Sequence, residues 1–199
     1  MGKRNGTSSE RYTDTELVAL FQEGDRSAFD GIVLRYQDRV FRTCLRFLAD
    51  YDEAADCAQD IFVRVYGSIG GFRKESTFST WLYRVAVNTC KNRASSVQFR
   101  RRRRMVSLDS ARDPDGTQPE VKNGRWSPHL AYERKAEKEA IGRAIRGLPE
   151  DQRALVILRD IENLSYDEIA RVTGHAEGTV KSKLFRARKR LKEELQELA

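Results

Sequence analysis

Ser165 to Leu195 reads SYDEIARVTGHAEGTVKSKLFRARKRLKEEL. Ser165 and Glu168 stand three apart as a capping box, which opens a helix by satisfying two otherwise orphaned backbone donors. That helix is short, Tyr166 to Val172. Thr173-Gly174-His175 follows as a tight turn, where Gly174 can take a positive φ without a Cβ clash. A longer basic helix runs from Ala176 to about Leu195. Val180, Leu184, Ala187 and Leu191 recur at three and four and form its buried stripe. Ser182, Phe185, Arg186 and Lys189 fall on the opposite face, flanked by Lys181, Lys183 and Arg188. This is helix-turn-helix spacing, with the second helix placed for a major groove. Arg186 can fork onto a guanine, the lysines can position on phosphates, and Thr179 can meet a phosphate beside exposed backbone N–H groups.

The helical period extends through the rest of the chain. Ala140, Ile141, Ala144, Ile145 and Leu148 predict a helix stopped at Pro149, and Leu155, Val156 and Leu158 belong to the next. Upstream, Phe29, Ile32, Val33, Tyr36, Val40, Cys44 and Phe47 make one stripe. Ala58, Ile61, Phe62 and Val65 make a second, and Phe78, Leu82, Val85, Ala86 and Thr89 a third. No period-two strand pattern interrupts them. Between the helical parts, Ser107 to His129 reads SLDSARDPDGTQPEVKNGRWSPH, with three of the four prolines and few large apolar residues. Such a stretch buries too little to offset chain entropy and reads as a flexible linker. The expected fold is all-α, with two small helical domains. A disordered tail spans 1–14, an N-terminal unit 15–105, the linker 106–130 and a C-terminal unit 131–199.

Composition narrows the function classes. The 199 residues carry 37 Lys and Arg against 30 Asp and Glu, a net charge of +7, which favours polyanionic partners. No apolar run reaches a membrane span and no secretory leader is visible, so a cytoplasmic location is expected. Three cysteines without a CxxC argue against a disulfide framework or a self-contained zinc finger. Cys44 and Cys90 sit on apolar faces and read as small core residues. Cys57, between Asp56 and Ala58, is expected to be more exposed, where carboxylates oppose a thiolate. His175 reads as a turn residue. No nucleophile with a base, metal constellation or phosphate-cradling GxxxxGK[ST] loop suggests an enzyme, a cofactor or a small-molecule substrate.

The charge is segregated. Leu48 to Val63 holds five acidic residues and no basic one, Ser76 to Leu108 eight basic and no acidic, and Lys181 to Lys192 seven basic and no acidic. On the acidic helix, Asp56, Gln59, Asp60 and Val63 fall within an arc of about 100°, opposite Ala58, Ile61, Phe62 and Val65. That face suits a basic partner, and by periodicity alone it equally suits plain solvation. In FRKESTFSTWLYRVAVNTCKNR (Phe72–Arg93), Thr77, Thr80, Arg84, Asn88 and Lys91 share a face with Trp81 at its edge. Cations meet phosphates, amides meet base edges and aromatics stack on unpaired bases. Phe72, Arg73 and Ser76 precede this helix on a loop that can hold an extruded base. Trp81 and Tyr83 read equally well as core residues. The residues alone leave open a free-standing helix-turn-helix regulator with an N-terminal sensor or dimerisation unit.

Three segments in order resemble the bacterial RNA polymerase sigma factors of the extracytoplasmic-function (ECF) type. DEAADCAQDIFVRVY (Asp52–Tyr66) is similar to their region 2.2, Phe72–Arg93 to regions 2.3 and 2.4, and Leu148–Leu191 to region 4. The resemblance implies a dissociable specificity subunit without catalysis or cofactor. It directs promoter-specific initiation, here of a stress or envelope-response regulon under anti-sigma control. It implies that Asp56, Gln59, Asp60 and Val63 dock on the polymerase β′ clamp helices and that the C-terminal unit meets the β flap. Phe72, Arg73, Ser76, Trp81, Tyr83, Arg84, Asn88 and Lys91 then meet the minus-ten element, the loop and Asn88 forming a pocket for a flipped base. Thr179, Lys181, Ser182, Phe185, Arg186 and Lys189 meet the minus-thirty-five element. The chain is then cytoplasmic, and on the nucleoid when bound to polymerase. Arg100–Arg104 matches no family motif and suits a phosphate tether.

Overall fold

The computed structural model describes residues 12–107 and 140–197, with their side chains at 12–96 and 140–196. The expected tail at 1–14 lies outside the described residues up to residue 11. So does the linker at 106–130 from residue 108 onward, the start of the C-terminal unit at 131–139, and the side chains of Arg100–Arg104.

Every regular element among the described residues is helical. In the N-terminal unit, α1 spans Asp14–Gln22, α2 Ala28–Leu48, α3 Tyr51–Ser68 and α4 Phe78–Ser107, with a 3-10 turn at Ile69–Gly71 before the loop into α4. In the C-terminal unit, α5 covers 140–147, α6 is Glu150–Val156, a π-type turn takes Ile157–Ile161, α7 is Tyr166–Thr173 and α8 is Glu177–Glu197.

Local chemistry sets the helix starts. Thr13 and Glu16 form a capping box on α1, Glu16 N–H donating to Thr13 Oγ1 at 3.3 Å and Thr13 N–H to Glu16 Oε2 at 2.6 Å. Asp50 caps α3 by accepting from Glu53 N–H at 3.0 Å. Ser165 and Glu168 make the expected box on α7, at 3.2 and 2.8 Å. Each such cap is worth about 1 kcal/mol. Gly174 ends α7 at φ 73, so the helix-turn-helix bend uses the left-handed region as its sequence implies.

The three N-terminal stripes meet in one core. Phe29, Ile32, Tyr36, Val40, Cys44, Phe47, Ala58, Ile61, Val65, Phe78, Leu82 and Ala86 are buried, with Val33, Phe62 and Val85 at its margin. Burying each large side chain contributes about 1.5–3 kcal/mol. Gly31 has a steric reason, since a Cβ there would lie 3.0 Å from Leu17 Cδ2 where α1 crosses α2.

The two units are packed together. α4 lies along α7, and α2 touches the π turn. The seam is polar and specific. Glu162, 9% exposed, accepts from Thr43 Oγ1 at 3.2 Å, from Arg39 Nε at 3.3 Å and from the Tyr83 hydroxyl. Lys91 pairs with Asp151 at 2.6 Å. Arg153 donates to the Phe47 carbonyl at 2.7 Å, and Thr80 to Glu168 at 3.4 Å.

Candidate nucleic-acid interface

Helix α8 is amphipathic as its period implies. Val180, Leu184 and Ala187 are buried, whereas Thr179, Lys181, Ser182, Phe185, Arg186 and Lys189 are all exposed. Phe185 is 72% exposed. Its neighbours are held by local bonds. Lys181 pairs with Glu177 at 2.6 Å and lies 5.4 Å from the Tyr166 ring centroid. Arg186 Nε donates back to the Ser182 carbonyl at 3.3 Å. Lys183, expected as a flank of this face, instead reaches Asp151 at 3.1 Å and His175 at 3.0 Å. His175 is therefore a turn residue with a charged neighbour, as its place in the turn implies.

The acidic face of α3 is also exposed at Asp56, Gln59, Asp60 and Val63. It is not purely anionic. Arg93 of α4 spreads its guanidinium over Glu53 at 2.6 Å, Asp56 at 2.9 Å and Asp60 at 3.1 Å. The bond to Glu53, with those to Asp56, holds Arg93 charged more firmly than usual. One arginine thus orients three carboxylates, and the outward lobes of Asp56 and Asp60 remain open to solvent.

The loop and helix assigned to unpaired bases are divided. Arg73, Arg84 and Asn88 are exposed, and Phe72, Ser76, Trp81 and Lys91 are half-buried. Phe72 and Trp81 meet with ring centroids 5.3 Å apart, and both pack on Phe78, at 5.9 and 5.8 Å. Gln22 of α1 fixes the loop by donating to the Ile69 and Phe72 carbonyls at 3.1 and 3.0 Å. Tyr83, by contrast, is 1% exposed. Its phenol is sealed against Glu162, and burial with that carboxylate pushes its pKa up. In this arrangement Tyr83 cannot touch a DNA strand.

Comparison with known proteins decides what these faces belong to. Residues 32–105 match Sigma-70 region 2 and residues 138–191 match Sigma-70 region 4. The sigma-H factor of Pseudomonas aeruginosa is 40% identical over 185 residues, 93% of this chain and 95% of that protein. The ECF sigma-E factor of Escherichia coli K12 is 36% identical over 194 residues, 96% of this chain and 98% of its own length. The chain belongs to the ECF sigma factors.

It is accordingly a non-catalytic RNA polymerase subunit for transcription initiation. Two solved structures share the fold. CnrH in complex with the cytosolic domain of CnrY superposes with TM-score 0.68 at 19% identity, covering 94% of this chain and 99% of CnrH. The sigma factor RpoE of Bartonella quintana, in complex with the anti-sigma factor NepR, gives 0.62 at 24% identity, covering 84% and 96%. No described helix of this sigma factor is long and apolar enough to cross a membrane.

Several residues that shape region 2 and its seam with region 4 were not visible in the sequence. Gln22, Arg39, Thr43 and Glu162 sit on helices or turns far apart in the chain, and no local spacing connects them. One signal was available: Thr80, Tyr83 and Val87 recur at three and four about 100° round α4 from Leu82 and Ala86. All three are buried. That second stripe marks α4 as packed on two sides. Cys57 also differs from expectation, since it is fully buried. Its flanking Asp56 is exposed because consecutive helical positions point about 100° apart.

Proposed function

We propose that this sigma factor docks on the β′ clamp helices of core polymerase through Asp56, Gln59, Asp60 and Val63, with region 4 against the β flap. The exposed face of α8 reads the minus-thirty-five element through Thr179, Lys181, Ser182, Phe185, Arg186 and Lys189. Phe72, Arg73, Ser76, Trp81, Arg84, Asn88 and Lys91 hold the unpaired minus-ten strand. Tyr83 joins them only after region 4 has left α4. The packed arrangement is then the polymerase-free, closed form, and polymerase binding selects an open one. Polymerase also sets the spacing of the two reading helices, which raises the effective concentration of the second contact. An anti-sigma factor that covers the same surfaces would oppose this, as the partners of the solved fold relatives suggest, in the cytoplasm.

The observation that carries the reading is the exposure of both outer faces, on α3 and α8, while α4 lies beneath region 4. The test is in vitro transcription with core polymerase on genomic fragments. New discrete start sites sharing two spaced upstream motifs are expected. Asp56→Arg with Asp60→Arg should weaken core binding about 100-fold, as removal of central interface anchors does, with helicity unchanged by circular dichroism. Undiminished binding would remove the docking face from this reading.

A further inference from the structure

Cys44, Cys57 and Cys90 are the only cysteines of the chain. They come from three different helices, α2, α3 and α4, and meet at one point in the core. Each is fully buried. Cys90 Sγ lies 3.7 Å from Cys44 Sγ and 3.8 Å from Cys57 Sγ, and all three sulfurs fall within 4.8 Å of one another. Thiolates bound to one ion at about 2.3 Å sit about 3.8–4.0 Å apart. Two edges of this triangle already have that length, and a pyramidal trivalent centre, whose S–As–S angles lie nearer a right angle, draws all three sulfurs closer by side-chain rotation.

No His, Asp or Glu joins the group among the described residues. The site is therefore sulfur-only and dry, which selects a soft ion content with three ligands. Charge narrows the choice further. The surrounding core is apolar, and an uncompensated charge there is costly. The arginines acting on Cys57 are Arg93 and Arg64, and Arg93 is already shared among three carboxylates. Three thiolates leave a net charge of −1 around zinc(II) and −2 around copper(I). They leave none around a trivalent ion.

We propose that the three cysteines form a site for a trivalent, thiophilic metalloid of the arsenite or antimonite type. Binding is a ligand exchange without redox change. Three As–O bonds of arsenous acid break and three As–S bonds form. Each thiol proton leaves with a hydroxide as water, and arsenic stays trivalent. The product is neutral, so the occupied core carries no charge. The occupied site would staple α2, α3 and α4 together. Because the sulfurs have no solvent exposure, entry requires local opening of the bundle and should be slow.

The test uses the reduced full chain with sodium arsenite. Native mass spectrometry should show one added arsenic less three hydrogens, and thiol titration after excess reagent is removed should fall from three groups to none. Cys90→Ala keeps two sulfurs and loses the third, intramolecular bond. Its arsenic should be released to a dithiol competitor about 100-fold more readily. Cys44→Ala provides the same comparison if Cys90→Ala fails to fold, folding being read by circular dichroism. No arsenic on the folded wild type would overturn the proposal, as would equal retention by a folded alanine variant. Retention of zinc(II) or copper(I) in preference to arsenite would overturn it too, because the charge argument would then fail.

Discussion

The two helices of this sigma factor proposed to meet nucleic acid, α4 and α8, are presented differently by the chain. α8 buries one stripe, Val180, Leu184 and Ala187, and leaves its whole opposite face to solvent. α4 buries two stripes. Leu82, Ala86 and Cys90 enter the region 2 core, and Thr80, Tyr83 and Val87 form a second buried row on the side where α7 lies. Only Arg84 and Asn88 remain fully exposed among its assigned contacts beyond Trp81. An amphipathic helix with a single apolar stripe is a finished reader. A helix with two stripes carries an internal docking face as well, and on the proposed reading that face competes with DNA.

The largest effect is expected where that competition is set. Glu162 is almost fully buried and accepts from three donors on α2 and α4. Its removal deletes charge-assisted bonds worth about 1.5–3 kcal/mol each. Glu162→Ala should therefore raise the affinity of free protein for a single-stranded minus-ten probe about 10- to 100-fold, read by the fluorescence anisotropy of a labelled probe. Duplex binding through α8 should stay unchanged. Equal change at both helices would mean Glu162 supports folding in general and not the cover over α4.

Arg186→Ala tests the uncovered helix. A bidentate base contact contributes about 1–3 kcal/mol, so preference at one upstream base pair should relax about 5- to 150-fold in the holoenzyme. A uniform loss across all upstream sequences would place Arg186 on phosphate. Asn88→Ala probes the part of α4 that region 4 leaves open. Because Asn88 is exposed, folding should hold, and open-complex formation should drop about 3- to 10-fold with core binding intact. Parallel loss of both would assign Asn88 to the polymerase contact.

The smallest effect concerns acid. The Lys91 ammonium, with Lys183, pulls the Asp151 carboxyl down to about 2. Its contribution to closure is complete above the ordinary carboxylate range near 4 and is lost as pH falls through about 2. Asp151 is half exposed, so solvent screening keeps the pair weak. Minus-ten probe binding should rise only about two- to fivefold between pH 4 and 2, relative to Asp151→Asn, which should lack that step. A step of the same size in both proteins would trace it to other carboxylates.

Helix content, the start of α7 and the outward faces were legible because they depend on neighbours three and four residues away. The Ser165–Glu168 box, the Gly174 turn, the α8 stripe and the exposure of Asp56, Gln59, Asp60 and Val63 all follow from that period. The order of three motif segments was likewise a one-dimensional fact, and it sufficed to point to the family. Partner choice between helices is different in kind. Arg93 lying across Asp56 and Asp60, Tyr83 sealed by Glu162 and Gln22 holding the loop before α4 each join residues 33 to 79 positions apart. The meeting of Cys44, Cys57 and Cys90 is of the same kind. Periodicity says which way a side chain points round its own axis. Which helix stands opposite, and at what rotation, is set by packing complementarity across the whole bundle, and that only the tertiary structure decides.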